Sequence, residues 1–377
     1  MPADLIGRQT ELRAIHGFLD QVSEGPAALL LEGEAGIGKS TLWQAATAEA
    51  RRRGYHVLAC RPAAAEARLS YAGLADLLAD VGRQRIRRLP EPQRRGLEVA
   101  LMEREPDAVG ADVRAIATGL LTVLGMLAEE TPVLIAVDDI QSLDRPSGQV
   151  VGFAARRLSG PVGLLAAART GEEATGAAEE LLLDPDRTRR LQIGPLTAGP
   201  LQQLLRERGG SSLTRPAQLR VAELSGGNPF FALELARTVA PGSTWEANAA
   251  LRGTPADVVA ARLEGLGAHV REALLAVSAL ADPTVEVVER AVHHNATASL
   301  ERAEELDLVE IAAGRVRFTH PLLAAGVYGS ASAAGRRALH RRLAAVVDAP
   351  EERARHLALG ALRADEETVA ALDQAAG

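Results

Sequence analysis

A glycine-rich octapeptide at residues 33–40, GEAGIGKS, is the part of this sequence best suited to chemistry. It matches the pattern G-x-x-x-x-G-K-[ST], whose glycines let backbone N–H groups converge on a phosphate group. Lys39 can then bridge the outer phosphates of a nucleoside triphosphate, and the Ser40 hydroxyl can bind Mg²⁺. Lys39 is also the only lysine among 42 lysine and arginine residues, which indicates that this position needs a compact ammonium group. The predicted nucleotide-binding residues of this segment are Gly33, Glu34, Ala35, Gly36, Ile37, Gly38, Lys39, Ser40 and Thr41.

Two aspartates and an arginine follow further apolar runs. Asp138 and Asp139 come directly after residues 133–137, and Arg169 follows the next apolar run. Because ligands bind at the carboxyl edge of a parallel sheet, Asp138 is predicted to hold the hydration shell of Mg²⁺. Asp139 and Lys39 are the predicted catalytic residues, since Asp139 could orient or deprotonate an attacking water. An aspartate is shorter than a glutamate, which favours weak hydrolysis. Arg169 could contact a γ-phosphate or be an ordinary surface arginine.

Apolar runs alternate with helix-compatible stretches through the first half of the chain, which predicts an α/β fold. An apolar run precedes the glycine-rich octapeptide and a helical stretch follows it, so the motif has the strand–loop–helix context that it requires. We therefore predict a P-loop NTPase core over residues 1–195, with a parallel sheet flanked by helices. The predicted strands lie at residues 27–31, 55–60, 133–137, 162–168 and 189–193.

The second half of the chain is predicted to be helical apart from one hairpin. Residues 196–250 are expected to form a helical lid that contains a Gly-Gly-Asn-Pro turn. Residues 251–335 begin with short helices and end in a hairpin, an order typical of a winged helix, and residues 336–377 continue as a helical arm. Between residues 281 and 310 there are eight acidic and two basic residues. Because DNA affinity depends on neutralising phosphates, this module is predicted to be structural or regulatory.

The overall composition argues against several classes of protein. A single cysteine cannot form a disulfide framework, and the N-terminus lacks the pattern of a signal peptide. No uninterrupted apolar run approaches the roughly 18 residues that indicate a membrane span. The net charge of −7 argues against nucleic acid as the main partner. We therefore expect a cytoplasmic protein that binds neither membranes nor DNA.

Taken in chain order, these features resemble those of STAND-class ATPases, a group of P-loop proteins. The resemblance rests on the Gly7-Arg8 pair, the glycine-rich octapeptide, the two aspartates, the strand end at Arg169, the Gly-Asn-Pro turn and the Thr-His-Pro segment after the hairpin. More narrowly, residues 69–74 and 225–230 look like those of the large ATP-binding LuxR-type regulators of actinobacteria.

The resemblance implies a role for each matched residue. Gly7 and Arg8 would lie near the adenine of ATP or ADP, and Pro229 would pack on its face. His320 would contact the β-phosphate of ADP and lock a closed resting state, which exchange for ATP would release. Without the resemblance, a lone histidine at this position is more often a structural group.

Members of this family normally continue into a helical-repeat sensor and a DNA-binding helix-turn-helix. These 377 residues contain no counterpart of either, so we expect an excised fragment or a naturally short relative. The resemblance implies a switch module of a transcription regulator that self-associates with ATP and is reset by slow, Mg²⁺-dependent ATP hydrolysis. Two alternatives stay open: an AAA-type motor or loader with fast turnover in a ring, and an adaptor that uses nucleotide only structurally.

Overall fold

The computed structural model describes residues 5–63, 67, 69–104, 112–170, 188–208, 213–238, 262–263, 265–292 and 294–361. The chain divides into two compact units. The first comprises Met1–Ser211 and Gln218–Ala232, and the second comprises Ser212–Ala217 and Leu233–Gly377. The finer division into four domains, with boundaries after residues 195, 250 and 335, stays a prediction.

A single sheet forms the centre of the first unit. Its strands are β1 (Ala27–Gly33), β2 (His56–Cys60), β3 (Val133–Val137), β4 (Val162–Arg169) and β5 (Thr188–Gln192). They lie in the order β2-β3-β4-β1-β5, and every neighbouring pair is parallel. The predicted parallel sheet is therefore confirmed, with small shifts at the ends of some strands.

Helices surround this sheet, and their apolar faces build the core on both of its sides. The helices are α1 (Gln9–Glu24), α2 (Lys39–Arg52), α3 (Ala72–Leu78), α4 (Arg83–Arg87), α5 (Glu91–Ala100), α6 (Val113–Ala128), α7 (Arg145–Ala155) and α8 (Ala198–Arg208). Leu29 and Leu31 belong to one core together with Phe18 of α1 and Trp43 of α2. Leu30, which points to the opposite face, belongs to the core formed with α3, α6 and α7. Side chains on both faces of β1 are buried, as an apolar run in a parallel strand predicts.

Asp144 fixes the segment that leads into α3. Its carboxylate caps α7 by accepting a hydrogen bond from the amide of Ser147 at 2.9 Å. It also accepts hydrogen bonds from the amides of Tyr71 and Gly73, each at 2.9 Å. Because Asp144 is buried, these bonds hold the start of α3 beside α7, the helix that follows the two aspartates of the site.

Helices and one hairpin make up most of the second unit. Helices α9 (Arg215–Ser225) and α10 (Pro229–Thr238) each have residues in both units. The elements that follow are α11 (Ala268–Ala279), α12 (Val285–Ala291), α13 (Ala296–Glu305), β6 (Val309–Ala312), β7 (Arg315–Phe318), α14 (Pro321–Ser330), α15 (Ala333–Ala344) and α16 (Pro350–Gly360). The antiparallel hairpin β6–β7 lies where the sequence predicts one. Its identification with the preceding helices as a winged helix stays a prediction.

Two buried histidines link the last helices of this unit. Nδ1 of His340 on α15 lies 2.9 Å from Nδ1 of His356 on α16. Nε2 of His340 is hydrogen-bonded to the Tyr328 hydroxyl at 2.8 Å. Burial, followed by the neighbouring His356, lowers the pKa of His340 from 6.5 to about 4. His340 is therefore neutral near pH 7.

Several predicted C-terminal segments lie outside the described residues. These are residues 239–250 of the predicted lid, 251–261 of the predicted winged-helix domain and 362–377 of the predicted arm. Of the helices that the structure describes, none combines the length and the apolar character needed to cross a membrane.

Candidate functional site

The loop between β1 and α2 has the backbone shape of a phosphate cradle. Gly36 and Gly38 have φ angles of +80° and +104°, in the region that strongly favours glycine. Helix α2 begins directly afterwards at Lys39. Among the described residues, a Cβ added to Gly38 would come within 4 Å of only one atom, Nη2 of Arg8 at 3.9 Å. The loop therefore leaves open space beside Gly38, at the positive end of the α2 dipole.

Lys39 lies folded against this loop. Its ammonium group donates to the backbone carbonyls of Gly33 and Glu34, each at 2.9 Å. The residue is only 7% exposed. Burial lowers the pKa of Lys39, and the nearby carboxylate of Asp139 opposes this change. A buried ammonium that donates to two neutral carbonyls fits a site for an anionic phosphate.

Ser40 and Asp138 meet at the carboxyl edge of the sheet, although they are 98 residues apart in sequence. The Ser40 hydroxyl donates to Oδ1 of Asp138 at 3.1 Å. Oδ2 of Asp138 lies 3.4 Å from Nε of Arg61, at the end of β2. Burial raises the pKa of Asp138, and the charge of Arg61 opposes this rise. A hydroxyl and a carboxylate are hard oxygen donors of the kind that Mg²⁺ prefers, so these two residues fit the predicted metal site.

Asp139 is already paired in this structure. Oδ2 of its carboxylate accepts a hydrogen bond from Nη2 of Arg169 at 2.8 Å. Oδ1 accepts another from the side-chain amide of Gln141, whose carbonyl oxygen in turn accepts from the backbone amide of Arg169 at 3.3 Å. The structure thus brings Asp139 and Arg169 together, and it adds Gln141, which sequence reasoning missed. The only sequence signal for Gln141 is its position two residues after Asp139.

Arg8 holds the glycine-rich loop through a hydrogen bond to its backbone. Its guanidinium donates through Nη2 to the carbonyl of Ile37 at 2.7 Å and through Nη1 to the carbonyl of Gly194 at 2.8 Å. Nη1 also lies 2.8 Å from a carboxylate oxygen of Glu11. Gly7 has a φ of +74° and packs so tightly that an added Cβ would lie 2.5 Å from Cβ of Pro200. The predicted proximity of Gly7 and Arg8 to an adenine stays a prediction.

The turn before α10 packs directly against the same loop. The Asn228 side chain donates through Nδ2 to the carbonyl of Ala35 at 2.9 Å. The backbone amide of Phe230 donates to the carbonyl of Gly36 at 3.3 Å. Pro229 is the first residue of α10, and its packing on the face of an adenine, which the family resemblance implies, stays a prediction. Sequence reasoning missed the contacts of Asn228 and Phe230, for which the Gly-Gly-Asn-Pro turn was the only signal.

His320 belongs to the second compact unit, directly after β7. The octapeptide, Asp138, Asp139 and Arg169 belong to the first. The predicted contact of His320 with the β-phosphate of ADP therefore stays a prediction.

Comparison with known families finds a match over the part of the chain that contains most of this site. Residues 4–166 match the family described as AAA ATPase domain. The matched range contains the glycine-rich loop and both aspartates, and it ends before Arg169. No curated protein matches the chain.

Comparison with solved structures finds several that are similar to this chain. A Signal Transduction ATPase with Numerous Domains (STAND) protein with a tetratricopeptide repeat sensor, from Pyrococcus horikoshii, superposes with a TM-score of 0.61 at 13% identity. The match covers 98% of this chain and 50% of that protein, so the chain spans about half the length of that relative. A Walker-type ATPase of Pyrococcus abyssi gives a TM-score of 0.42 at 15% identity, covering 85% of this chain and 95% of that one. The ORC1 protein of Aeropyrum pernix, solved in complex with DNA, gives 0.39 at 18% identity, covering 86% and 92%.

The first of these likenesses defines the class of fold. The chain shares the fold of that STAND protein, and its residues 4–166 match the AAA ATPase domain. At 13% identity the likeness extends to the fold alone.

Proposed function

We propose that this chain is an ATP/ADP-binding molecular switch that hydrolyses ATP slowly. The observation that carries the proposal is the pairing of Ser40 with Asp138 beside the buried ammonium of Lys39. These groups converge at the start of α2, where backbone N–H groups and the helix dipole favour a phosphate. In this proposal the residues of the octapeptide and Thr41 bind the phosphates, and Gly7, Arg8 and Pro229 lie near the adenine.

Ser40 and Asp138 would hold Mg²⁺, Asp138 through water, and the ion would supply positive charge to the phosphates during transfer. Lys39 would exchange its two carbonyl partners for phosphate oxygens. Asp139 would accept a proton from the attacking water, but its carboxylate is shared between Arg169 and Gln141. Both of its oxygens already accept hydrogen bonds, so one partner must leave before Asp139 can accept that proton. This pairing supports slow hydrolysis, and we assign Arg169 the role of responding to a γ-phosphate.

The regulatory part of the proposal concerns the second unit. The helices α11 to α13 and the hairpin β6–β7 lie in the order of a winged helix. We assign this unit a regulatory role, in which His320 contacts ADP and stabilises a closed resting state. The acidic side chains between residues 281 and 310 disfavour DNA binding by this unit. From the sequence resemblance, we assign the chain a role within a larger, cytoplasmic regulator of the LuxR type that self-associates with ATP; the likeness to a STAND protein supports the fold of such a switch.

The first experiment is to denature the purified protein and identify the nucleotide that it releases, with its stoichiometry. Near-stoichiometric ADP is expected for a locked switch. Lys39→Met, which keeps the side-chain volume but removes the charge, should carry no nucleotide while its circular dichroism stays unchanged. Arg85→Gln is the matched control, since Arg85 pairs with Glu130 on the surface of the same unit. A Lys39→Met protein that retains as much ADP as the control would overturn the proposal.

The match to an AAA ATPase domain supports one alternative, a motor with fast turnover in a ring. Such a motor needs an arginine that reaches a neighbouring subunit. Arg157 is a poor candidate, because its guanidinium stacks 3.7 Å above the ring of Phe153 and donates to the Phe153 carbonyl. Protein that is isolated without nucleotide and turns over ATP rapidly as a ring would favour this alternative.

A further inference from the structure

Arg61 lies beside the proposed metal site. It follows directly after β2, the strand next to β3. The backbone amide of Asp138 donates to the carbonyl of Cys60 at 3.1 Å, which extends the β2–β3 ladder to the end of both strands. This register places Arg61 level with Asp138, and Nε of Arg61 lies 3.4 Å from Oδ2 of Asp138.

The two oxygens of Asp138 have different partners. Oδ1 accepts from Ser40, the predicted Mg²⁺ ligand, and Oδ2 faces the guanidinium of Arg61. The Asp138 side chain is only 6% exposed, so its negative charge needs a nearby positive charge. Two other cations of the site are engaged elsewhere: Lys39 with backbone carbonyls and Arg169 with Asp139.

The side chains of Arg61 and Asp138 differ in how easily each can move out of this ion pair. The Arg61 side chain is 40% exposed, so it can turn away from Asp138 at little cost in buried contacts. Asp138 is fixed by its backbone position at the end of β3 and by the Ser40 hydroxyl. A divalent ion brought to Asp138 would repel the guanidinium, and Arg61 is the group that can move.

We propose that Arg61 is an internal counter-ion that competes with Mg²⁺ for Asp138 and thereby limits the metal affinity of the nucleotide site. This inference depends on the proposed function, since it assumes that nucleotide and metal bind here. In the absence of metal, Arg61 neutralises Asp138. Metal binding must displace Arg61, so part of the metal's binding free energy is lost in breaking the Arg61–Asp138 pair.

The test is to measure Mn²⁺ affinity by electron paramagnetic resonance in protein saturated with ADP. We expect Arg61→Gln to lower the Mn²⁺ dissociation constant about fivefold, the change that corresponds to losing a partly exposed ion pair. Arg61→Lys, which keeps a positive charge, should change it less. Arg85→Gln, which breaks a surface ion pair with Glu130 in the same unit, is the matched control and should leave it unchanged.

Each outcome decides the inference. Unchanged or weaker Mn²⁺ binding by Arg61→Gln would overturn it, and weaker binding would indicate that Arg61 helps to hold the nucleotide. In an Asp138→Asn background, the Arg61→Gln substitution should no longer change the Mn²⁺ affinity; a persistent effect would also overturn the inference.

ADP binding is measured first by calorimetry, because a protein that binds no ADP contradicts the proposed function itself. Thermal unfolding of Arg61→Gln and Arg61→Lys shows that each variant is folded, and Arg61→Lys provides a second, graded measurement.

Discussion

Alanine substitutions at three glycines can separate the cost of backbone strain from the contacts of the glycine-rich loop. Gly36, Gly38 and Gly160 all have positive φ, at +80°, +104° and +71°. Placing alanine in the left-handed region costs roughly 1–2 kcal/mol. Among the described residues nothing lies within 4 Å of a Cβ added to Gly160. Gly160→Ala therefore measures the strain alone.

Gly38→Ala should destabilise the protein about as much as Gly160→Ala, because its new methyl group meets only Nη2 of Arg8, at 3.9 Å. Its effect on binding should be quite different. The methyl group would project into the open space beside the start of α2, where we place the phosphates. We expect ADP affinity to fall by a factor of about 100 or more, since a steric clash at a bound phosphate removes several charge-assisted hydrogen bonds.

Gly36→Ala should be the most destabilising of the three. Its Cβ would lie 2.9 Å from Oδ1 of Asn228 and 2.9 Å from Cβ of Phe230, closer than side-chain carbons normally approach. To relieve this clash, the turn must move away from the loop and lose the hydrogen bond from Asn228 to the Ala35 carbonyl. Losing a partly buried hydrogen bond adds about 1–3 kcal/mol to the cost of the strain.

The assay is urea denaturation in a Trp245→Phe background, where Trp43 on α2 becomes the only tryptophan and reports on the first unit. ADP affinity is measured on the same variants by calorimetry. Equal free energies of unfolding for Gly36→Ala and Gly160→Ala would refute the packing of the turn against the loop. Undiminished ADP affinity in Gly38→Ala would refute the location of the phosphates.

Three further predictions follow from other contacts. Asp139→Asn should keep ADP and ATP binding but lose turnover, because an amide cannot accept the proton; equal phosphate release by both proteins would contradict this. Asp144→Ala leaves three amide donors without their acceptor and should cost about 3 kcal/mol or more of stability, measured by urea denaturation. Because the pKa of His340 is about 4 in the folded protein, the unfolded state binds more protons than the folded state between about pH 6.5 and 4. The free energy of unfolding should therefore be highest above pH 6.5 and fall by about 3 kcal/mol as the pH is lowered through this range. His340→Gln should flatten that dependence, and an unchanged slope would show that His340 does not cause it.

Local sequence signals predicted the parts of the site that lie within one segment. The octapeptide, the aspartates after β3 and the arginine at the end of β4 are each found from a short motif beside an apolar run. Because these runs are buried parallel strands, their carboxyl ends meet at one edge of the sheet, as the sequence predicts. The fold of the first unit follows from the same alternation of apolar strands and amphipathic helices.

Contacts between distant segments could not be predicted in this way. Asn228 and Ala35 are separated by 193 residues, and Arg8 and Gly194 by 186. Periodicity indicates which face of a helix is buried, but it does not identify the carbonyl that an asparagine will meet. Similarly, the pairing of Asp139 with Arg169 depends on the register of β3 and β4 and on the positive φ of Asp139. Neither of these can be read from residue types.

These distant contacts explain how the loop can hold its shape. The carbonyls of Ala35 and Ile37 accept hydrogen bonds from Asn228 and Arg8, respectively. In a planar trans peptide, the carbonyl and the following N–H point in opposite directions. Anchoring these two carbonyls therefore fixes the orientations of the N–H groups of Gly36 and Gly38, which we assign to the phosphates. A movement of either anchoring segment would rotate those N–H groups and change phosphate affinity. By thermodynamic linkage, nucleotide binding must then influence the position of both segments, which is the coupling that a switch requires.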